Sequence, residues 1–262
     1  MTATKATSAT SATSATSAEG AEGREDAADT TAGGTAATAA LRSLLELPAP
    51  TSAPGLLGAT IAGKGVTLRI TEVEAYWGPT DPGSHGHRGM TERNRHLFGG
   101  PGTLYAYRSY GIHTCVNVVS AAEGTSSGSL LRAAEVVDGG PVARERRGDG
   151  VPSAALARGP GNLGQALGTV LGTDDGTSLL DGSGPYVLTL APGLEARLAA
   201  APPAAVVEEL LSEDVRPGVR RISRGPRVGV GGTAGGASFP WRWWLTGDPT
   251  VSSYRRHKGA VD

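Results

Sequence analysis

The stretch ITEVEAYWGPTDPGSHGHRGMTERN contains five side chains that could do chemistry: Glu72, Glu74, Tyr76, His85 and His87. A carboxylate can take a proton from water and so produce a nucleophile. Histidines beside a carboxylate can instead bind a metal ion, whereas aromatic residues in a strand often only pack in the core. These residue types therefore indicate a catalytic centre, a metal site or an edge of ordinary core.

The stretch begins as a β-strand, because GVTLRITEVEAYW alternates with period two and is rich in β-branched residues. In a regular pleat, one face of this strand carries Val66, Leu68, Ile70, Glu72, Glu74 and Tyr76. Because the first residues of this series are apolar, this face is predicted to be the core face. A carboxylate is tolerated there only if it is paired with a cation or takes part in function. Either glutamate could neutralise an arginine or act in catalysis, and alternation does not separate them.

A second group of aromatic residues lies in TLYAYRSYGIHTCVNVV, which predicts a β-hairpin. Tyr105 and Tyr107 share one face, a pattern that favours core or cross-strand packing. Tyr110 falls at the turn, where a large aromatic side chain protrudes and needs a cavity to enter. One such use is a wedge that unstacks DNA and lets a nucleotide rotate out. A pocket for that base needs aromatic faces and polar edges, which Tyr76, Tyr107 and His85 could supply.

Composition separates a tail from a domain. The chain has 262 residues, enough for one sizeable domain. Its first 40 residues repeat the triplet SAT and hold hardly any large apolar side chain, a composition typical of disorder. We expect a disordered low-complexity tail over residues 1–40, one domain over 41–255 and a C-terminal tail over 256–262. With no signal peptide pattern and no apolar run near the ~20 residues of a membrane helix, a cytoplasmic protein is expected.

The net charge and the cysteine content exclude few functional classes. The net charge is −1, but residues 1–40 hold two basic and five acidic groups, which leaves 22 basic and 20 acidic groups in the rest. Such a balance permits phosphate contacts without requiring them. Cys115 is the single cysteine, which excludes an intramolecular disulfide and a cysteine-rich metal site. The lysines are only Lys5, Lys64 and Lys258, so a lysine nucleophile has few candidates.

The remaining patterns predict both helices and strands. LRSLLELPAP indicates a short helix ended by prolines, SLLRAAEVV a buried run, and GPGNLGQALG a glycine-rich turn leading into a helix. Residues 194–215 favour helix, and PRVGVGG and FPWRWWLTGDPTVS favour strands. Because there is no regular βαβ alternation, the fold class predicted is α+β.

Five motifs in order resemble the alkyladenine (3-methyladenine) DNA glycosylases: TEVEAYWGPTDPGSHGHRGMTERN, PGTLYAYRSYGIHTCVNVVS, LLRAAE, GPGNLGQALG and PRVGVG. The likeness runs from about Val66 to Ser252. It implies one domain with a curved, mainly antiparallel β-sheet core, flanking helices and a protruding hairpin, similar to a formyltransferase C-terminal domain. It also implies a monofunctional glycosylase of base excision repair, which flips alkylated or deaminated purines from duplex DNA and hydrolyses the N-glycosidic bond. The substrates implied are of the 3-methyladenine, 7-methylguanine or hypoxanthine type, and the product is an abasic site.

The resemblance assigns roles around the reacting water and the flipped base. Glu74 matches the general base, and Arg132 and the backbone carbonyl of Val230 match the groups that hold the water. The substrate-binding positions match Tyr76 and Tyr107 as stacking faces, His85 at the pocket edge and Asn117 at the rim, where its bulk disfavours the amino group of guanine.

The resemblance and the residue types also indicate contacts with DNA. Tyr110 matches the intercalating wedge, and Arg93, Arg95, Gly159 and Gly161 are expected to bind phosphates. The implied partner is double-stranded DNA with damaged purines, bound by a monomer that needs no cofactor or metal and associates with the nucleoid. A lyase step through a Schiff base is not expected, because Lys64 and Lys258 lie outside the motifs.

Two other functions stay open on the residues. A metal-dependent hydrolase could use Glu74, His85 and His87, with His113 completing the ligand set. A non-catalytic protein could flip damaged bases without cutting them, although its sequence would be expected to lack the general base.

Overall fold

The computed structural model describes residues 25–212 and 221–262. The chain divides into the units Met1–Gly34 and Thr35–Asp262, and the sheet and the site belong to the second unit. Most of the predicted tail, residues 1–24, lies outside the described residues. Helix α1 (Glu25–Leu45) crosses the boundary predicted at residue 40, and the three domain limits stay a prediction.

The nine strands described form one antiparallel sheet. They are β1 (Thr60–Gly63), β2 (Val66–Trp77), β3 (Leu104–Ser109), β4 (His113–Val119), β5 (Ser127–Asp138), β6 (Ala157–Arg158), β7 (Tyr186–Thr189), β8 (Ile222–Gly225) and β9 (Arg242–Leu245). The order is β3-β4-β5-β2-β1-β7, with β6 paired to β5 and with β9 paired to both β2 and β8. Strand β2 is therefore the centre of the sheet.

Helices flank this sheet, which confirms the predicted α+β class. After α1 they are α2 (Ala49–Ser52), α3 (Gly140–Arg147), α4 (Pro160–Leu167), α5 (Leu171–Asp174), α6 (Leu194–Ala200) and α7 (Pro203–Ser212). Short 3-10 helices cover Ala53–Leu56, Arg95–Phe98, Ser153–Ala155 and Thr233–Gly235. None of the helices in the described ranges is long and apolar enough to cross a membrane.

A β-bulge in β2 changes which side its carboxylates face. Ile70 pairs with Ala134, Glu72 with Ala133 and Val73 with Leu131, so Thr71 in β2 and Arg132 in β5 are each skipped in the β2–β5 pairing, and the register is the same on both sides of the irregularity. Such an irregularity shifts the alternation by one position. Beyond the bulge, Val73 and Ala75 join the apolar core together with the earlier residues of β2. The predicted single core-facing series is therefore wrong, because Glu72, Glu74 and Tyr76 point to the opposite side.

The bulge also marks a change of neighbours. Before it, β1 pairs with β2 from Val66 to Arg69, and after it β9 pairs with Glu72, Val73 and Glu74. The loop that precedes β9 is thereby brought next to the carboxylates of β2.

Most of the other predicted elements are present. The hairpin is formed by β3 and β4, and the glycine-rich motif opens α4 as expected. The helical prediction for 194–215 corresponds to α6 and α7, and its residues 213–215 lie outside the described ranges. The prediction for PRVGVGG is wrong, since residues 226–232 form a loop after β8.

Candidate active site

A cavity of about 320 Å³ opens beside the end of β2. Its walls come from β2, β3, β4 and two loops: Tyr76, Pro82, Gly83, His85, Leu97, Tyr105, Tyr107, Asn117, Gly229, Val230 and Gly231. We call residues 228–232 the cavity loop. Aromatic rings with a few polar groups at the edge are typical of a site for a flat organic ligand.

Glu74 is fully buried and has three polar partners, one of which, Tyr76, lines this cavity. One carboxylate oxygen, Oε1, accepts a hydrogen bond of 2.7 Å from the backbone N–H of Val228, and the other, Oε2, accepts one of 2.9 Å from the Tyr76 hydroxyl. The Arg132 Nε lies 3.5 Å from Oε1. Each carboxylate oxygen can accept a further hydrogen bond, so these contacts orient the group without exhausting its capacity.

Glu72 is equally buried but belongs to an ion-pair cluster. Its Oε1 accepts a 2.6 Å hydrogen bond from Arg242 and lies 3.1 Å from the Arg132 Nε, and its Oε2 accepts a 2.8 Å bond from the Ser252 N–H. Two cations and a backbone donor thus compensate this carboxylate. The neutralising role that the sequence left open for either glutamate applies to Glu72.

Tyr76 connects Glu74 to the cavity. Burial, and then the negative charge of Glu74, raise the pKa of the Tyr76 hydroxyl well above its ordinary value, so it remains a proton donor. The Arg227 guanidinium lies 4.5 Å from the ring centroid. A cation over an aromatic face is an attractive arrangement that braces this ring.

Arg227 is itself held by a buried carboxylate that the sequence analysis missed. Its Nη1 and Nη2 donate to the two oxygens of Asp81 at 2.5 and 2.7 Å, and both residues are inaccessible to solvent. Burial alone would lower the pKa of the Arg227 guanidinium. The hydrogen bonds and the negative charge of Asp81 have the larger effect, so the pKa of Arg227 is raised. Arg227 also donates to the carbonyls of Ala75 and Ala234, so it links β2 to two loops.

The opposite wall consists of aromatic residues from β3 and the loop after β2. The Tyr105 and Tyr107 rings stack with centroids 5.8 Å apart, and His85 lies edge-on to Tyr107 at 4.5 Å. Tyr105 was interpreted as packing only, but it lines the cavity, and its hydroxyl lies 3.0 Å from His85 Nδ1. In the sequence, the position of Tyr105 on the same strand face as Tyr107 was the signal that could have predicted this contact with the cavity.

Burial sets the protonation of this wall. Burial, with a contribution from Asp175, raises the pKa of Tyr105 to about 12, and burial raises that of Tyr107 further. Partial burial and then the Arg93 charge lower the pKa of His85. The Tyr105 hydroxyl is therefore protonated at neutral pH and can donate to a neutral His85, which leaves Nε2–H as a donor.

Asn117, predicted at the rim, and Val230, predicted at the water site, both line the cavity. Asn117 is buried, and its side-chain amide donates to the Tyr105 carbonyl at 3.1 Å, which fixes its position. The group of the cavity loop that bonds Glu74 is the N–H of Val228, two residues before Val230, a contact that was not predicted from the sequence. The roles assigned to the Val230 carbonyl and to Asn117 stay predictions.

The hairpin tip projects from the sheet. Tyr110 is 91% exposed and has a φ of 49°, a conformation that is unusual for a bulky residue. Beside it, a second cavity of about 230 Å³ is lined by both predicted phosphate-binding glycines, Gly159 and Gly161, at the start of α4. A side chain on Gly161 would come within 2.6 Å of the His113 ring, so only glycine fits there.

The two predicted phosphate-binding arginines differ in their contacts. Arg95 forms an exposed ion pair with Glu92. The Arg93 side chain donates to the Arg108 carbonyl of the hairpin at 3.4 Å. Arg93 is thus available near the hairpin, whereas the charge of Arg95 is compensated, and a phosphate contact by either one stays a prediction.

The side chains of the metal alternative are not brought together. Glu74 bonds Tyr76 and Val228, while His85 Nδ1 faces the Tyr105 hydroxyl and His87 Nδ1 lies 3.2 Å from the Gly78 carbonyl. In the described part of the chain, no three His, Cys, Asp or Glu side chains are placed to share a metal ion. The geometry therefore gives no support to a hydrolase that uses Glu74, His85 and His87 as ligands.

Comparison with known proteins agrees with this geometry. The family model described as "Methylpurine-DNA glycosylase (MPG)" matches residues 43–249. A Nocardia farcinica protein named "Putative 3-methyladenine DNA glycosylase" is 46% identical over 217 residues, which is 81% of this chain and 90% of the relative. Proteins of the same name from Leifsonia xyli and Mycobacterium tuberculosis are 46% and 43% identical over 78% and 82% of this chain, and 87% and 94% of their own lengths. The chain therefore belongs to the methylpurine-DNA glycosylase family, a family of DNA repair enzymes that hydrolyse N-glycosidic bonds.

Proposed function

We propose that this protein flips alkylated or deaminated purines out of duplex DNA into the cavity and releases them by hydrolysis. The substrates are of the 3-methyladenine, 7-methylguanine and hypoxanthine type, and the product is an abasic site. Tyr110 enters the duplex as the wedge, and Glu74 activates the water that attacks the sugar. The protein acts as a monomer on double-stranded DNA.

The observation that carries this proposal is the setting of Glu74. It is buried and bonded to Val228 and Tyr76, with Arg132 3.5 Å away, and Tyr76 connects it to a cavity with aromatic walls. Fixed partners hold the carboxylate in one orientation, so a water molecule beside it would be aligned before the reaction begins. Glu72, in contrast, has its charge compensated by two arginines.

The chemistry needs one base and a good leaving group. Glu74 takes a proton from water as the water oxygen bonds to the anomeric carbon of the sugar. The electrons of the breaking C–N bond move to the purine, which leaves as the free base. A purine alkylated at a ring nitrogen is cationic and therefore leaves as a neutral base. A deaminated purine such as hypoxanthine is neutral, leaves as an anion and takes up a proton from solvent, so its departure needs more help.

The cavity walls suit an electron-poor purine. Tyr76 and Tyr107 present aromatic faces, which attract a cationic ring more strongly than a neutral one. The Nε2–H of His85 can donate to the purine edge, and Asn117 restricts the space at the rim. These four residues are therefore assigned to substrate binding.

No lysine takes the place of water in this scheme. The Lys64 ammonium lies 2.5 Å from the Asp174 carboxylate and donates to the Gly168 carbonyl, so it is engaged in a structural contact. Lys258 is exposed on the C-terminal segment, outside the motifs of the family resemblance, and Lys5 lies outside the described residues. We propose that the enzyme has no lyase step and leaves the DNA backbone intact, because water activated by Glu74 is the nucleophile.

The test is release of free base from duplex DNA that carries a single defined lesion. We expect the wild-type protein to release the base and leave an unbroken abasic strand that alkali cleaves. In Glu74→Gln, which keeps the shape of the side chain, release should fall at least ~100-fold, the range typical of a lost general base. Binding to a duplex with an abasic-site analogue should be retained.

A matched control is Glu208→Gln on α7, which removes an exposed carboxylate and should leave release unchanged. Undiminished release by Glu74→Gln would contradict the assignment of the base. If the wild-type protein binds lesion DNA without releasing any base, the non-catalytic alternative is correct. Strand breaks without alkali, or a borohydride-trapped complex, would contradict the absence of a lyase step.

A further inference from the structure

The end of the chain, predicted as a tail, packs against the wall of the cavity. The N–H of Gly229 donates to the Arg255 carbonyl at 3.0 Å, and the N–H of Gly232 donates to the Gly259 carbonyl at 2.8 Å. In return, the N–H of Val261 donates to the Gly232 carbonyl at 3.0 Å. The C-terminal segment, residues 254–262, therefore runs alongside the cavity loop and is fixed to it by main-chain hydrogen bonds.

Both ends of this segment are anchored. Just before it, the Ser252 N–H bonds Glu72, which belongs to the buried ion-pair cluster. At its far end, the Asp262 carboxylate accepts a 2.9 Å bond from the Ala237 N–H and lies 3.0 Å from Arg256. A segment held at both ends presents its outward side chains in a defined place rather than as a loose tail.

The approach of segment and loop is close. A Cβ atom placed on Gly231 would lie only 3.1 Å from His257 Nδ1, and Gly231 lines the cavity. His257 therefore marks the point where the segment meets the cavity loop, and the basic residues on either side of it lie within two positions of that point in the sequence.

The exposed part of the segment is basic. The sequence YRRHK at 254–258 is exposed throughout. Arg256 is paired with Asp262, but within the described residues neither Arg255 nor Lys258 forms an ion pair. The segment that is bonded to the cavity loop therefore carries two exposed cations without an ion pair among the described residues, outside the stretch that the family model matches.

We propose that Arg255 and Lys258 bind phosphates of the DNA strand next to the flipped nucleotide. This inference rests on the proposed function only in taking duplex DNA as the ligand. DNA presents dense negative charge, and each cation that neutralises a phosphate releases a condensed counterion. Phosphate contacts also fix the register of a protein on DNA without reading sequence. Because the segment is tied to the cavity loop, its cations position the DNA backbone relative to Glu74 and the aromatic walls.

The experiment measures how affinity for DNA depends on salt. The full chain is titrated with a duplex that carries an abasic-site analogue, by fluorescence anisotropy, over a series of KCl concentrations. The variants are Arg255→Gln, Lys258→Gln and the double variant, and Arg42→Gln is the control because it removes one exposed cation on α1. The double substitution Arg255→Lys and Lys258→Arg keeps both charges and should behave as wild type.

We expect the slope of log K against log salt to flatten by ~0.9 for each lost phosphate contact, hence by ~1.8 in the double variant. Affinity at low salt should fall by about tenfold or more, while Arg42→Gln keeps the wild-type slope. A double variant whose slope flattens by less than one unit, or by no more than that of Arg42→Gln, would overturn the proposal. Unchanged circular dichroism and thermal unfolding confirm that the variants are folded.

Base release separates this result from the proposed function. With protein in excess and saturating, Arg42→Gln should release base at the wild-type rate, because Arg42 belongs neither to the cavity lining nor to the C-terminal segment. If wild-type protein releases no base, the proposed function fails, yet the salt slopes still decide whether Arg255 and Lys258 contact DNA.

Discussion

Glu72 and Glu74 show how two neighbouring carboxylates of equal burial acquire different roles. Glu72 contacts Arg132, Arg242 and Ser252, whereas Glu74 bonds Val228 and Tyr76 and lies 3.5 Å from the same Arg132. All of these partners except Tyr76 come from distant segments. Local alternation predicted that both glutamates would be buried but contained no information about those partners, which is why the residues alone could not separate the two.

At the same scale, the environment of His85 predicts a dependence of stability on pH. Its pKa in the folded protein is lowered from the ordinary 6.5 by partial burial and by Arg93. The unfolded chain therefore binds a proton at a higher pH than the folded one does. The stabilising contribution is complete above about pH 6.5 and is lost as the pH falls through the lowered folded pKa.

We expect this loss to depend on His85 itself. The free energy of unfolding, measured by urea at pH 8 and at pH 5, should fall more for the wild-type protein than for His85→Gln. His87→Gln is the control, since His87 is exposed and lies outside the cavity. Parallel pH profiles for wild type and His85→Gln would show that folding does not perturb this imidazole.

Among the elements, the β3–β4 hairpin was the most predictable. Its aromatic and β-branched arms and the glycine at its turn are local signals, and the observed register joins the arms from Leu104–Val118 to Ser109–His113. The bulge in β2 was not predictable, because such an irregularity is selected by the partners β5 and β9 rather than by its own sequence. Local patterns thus predicted elements but not the face on which Glu74 lies.

The hairpin tip supports a prediction about Tyr110. Its positive φ costs about 1–2 kcal/mol in a residue with a side chain, a cost that glycine largely avoids. We expect Tyr110→Gly to be at least as stable as wild type in urea unfolding. Its release of a lesion base from duplex DNA should fall roughly tenfold or more, because unstacking a base step costs a few kcal/mol. Release from single-stranded DNA should change much less.

The control for this change is Val187→Ala, which trims another exposed apolar side chain, on β7. It should alter neither measurement beyond experimental scatter. Equal losses of release on single- and double-stranded DNA in Tyr110→Gly would argue against a wedge. A marked loss of stability would show that Tyr110 supports the hairpin instead.

At the scale of the whole molecule, the pair of Asp81 and Arg227 joins segments 146 positions apart. It braces Tyr76 and connects β2 to the loops on either side of the cavity. Removing one partner of such a buried pair leaves an uncompensated charge, which costs about 3–5 kcal/mol. We expect Asp81→Asn to lose stability of that order, measured by urea unfolding at neutral pH.

An exposed ion pair gives the comparison. Glu92→Gln breaks the surface contact with Arg95 and should cost no more than about 1 kcal/mol. If the two variants lost equal stability, the Asp81–Arg227 pair would not be a structural link between the cavity walls. The sequence could not identify this pair, since an aspartate and an arginine so far apart carry no local pattern.

The irregularity in β2 has a consequence for protein design. The irregularity at Thr71, matched by one at Arg132 in β5, changes the side of the sheet on which the following carboxylates lie, so the site depends on both strands. If the sequence of β2 around Glu74 and Tyr76 were grafted onto a regular strand of another scaffold, the side chains would be the same. They would then lie on the same face as the preceding core residues and not on the opposite one. A transplanted site must therefore include the irregularity together with the strand that pairs beside it.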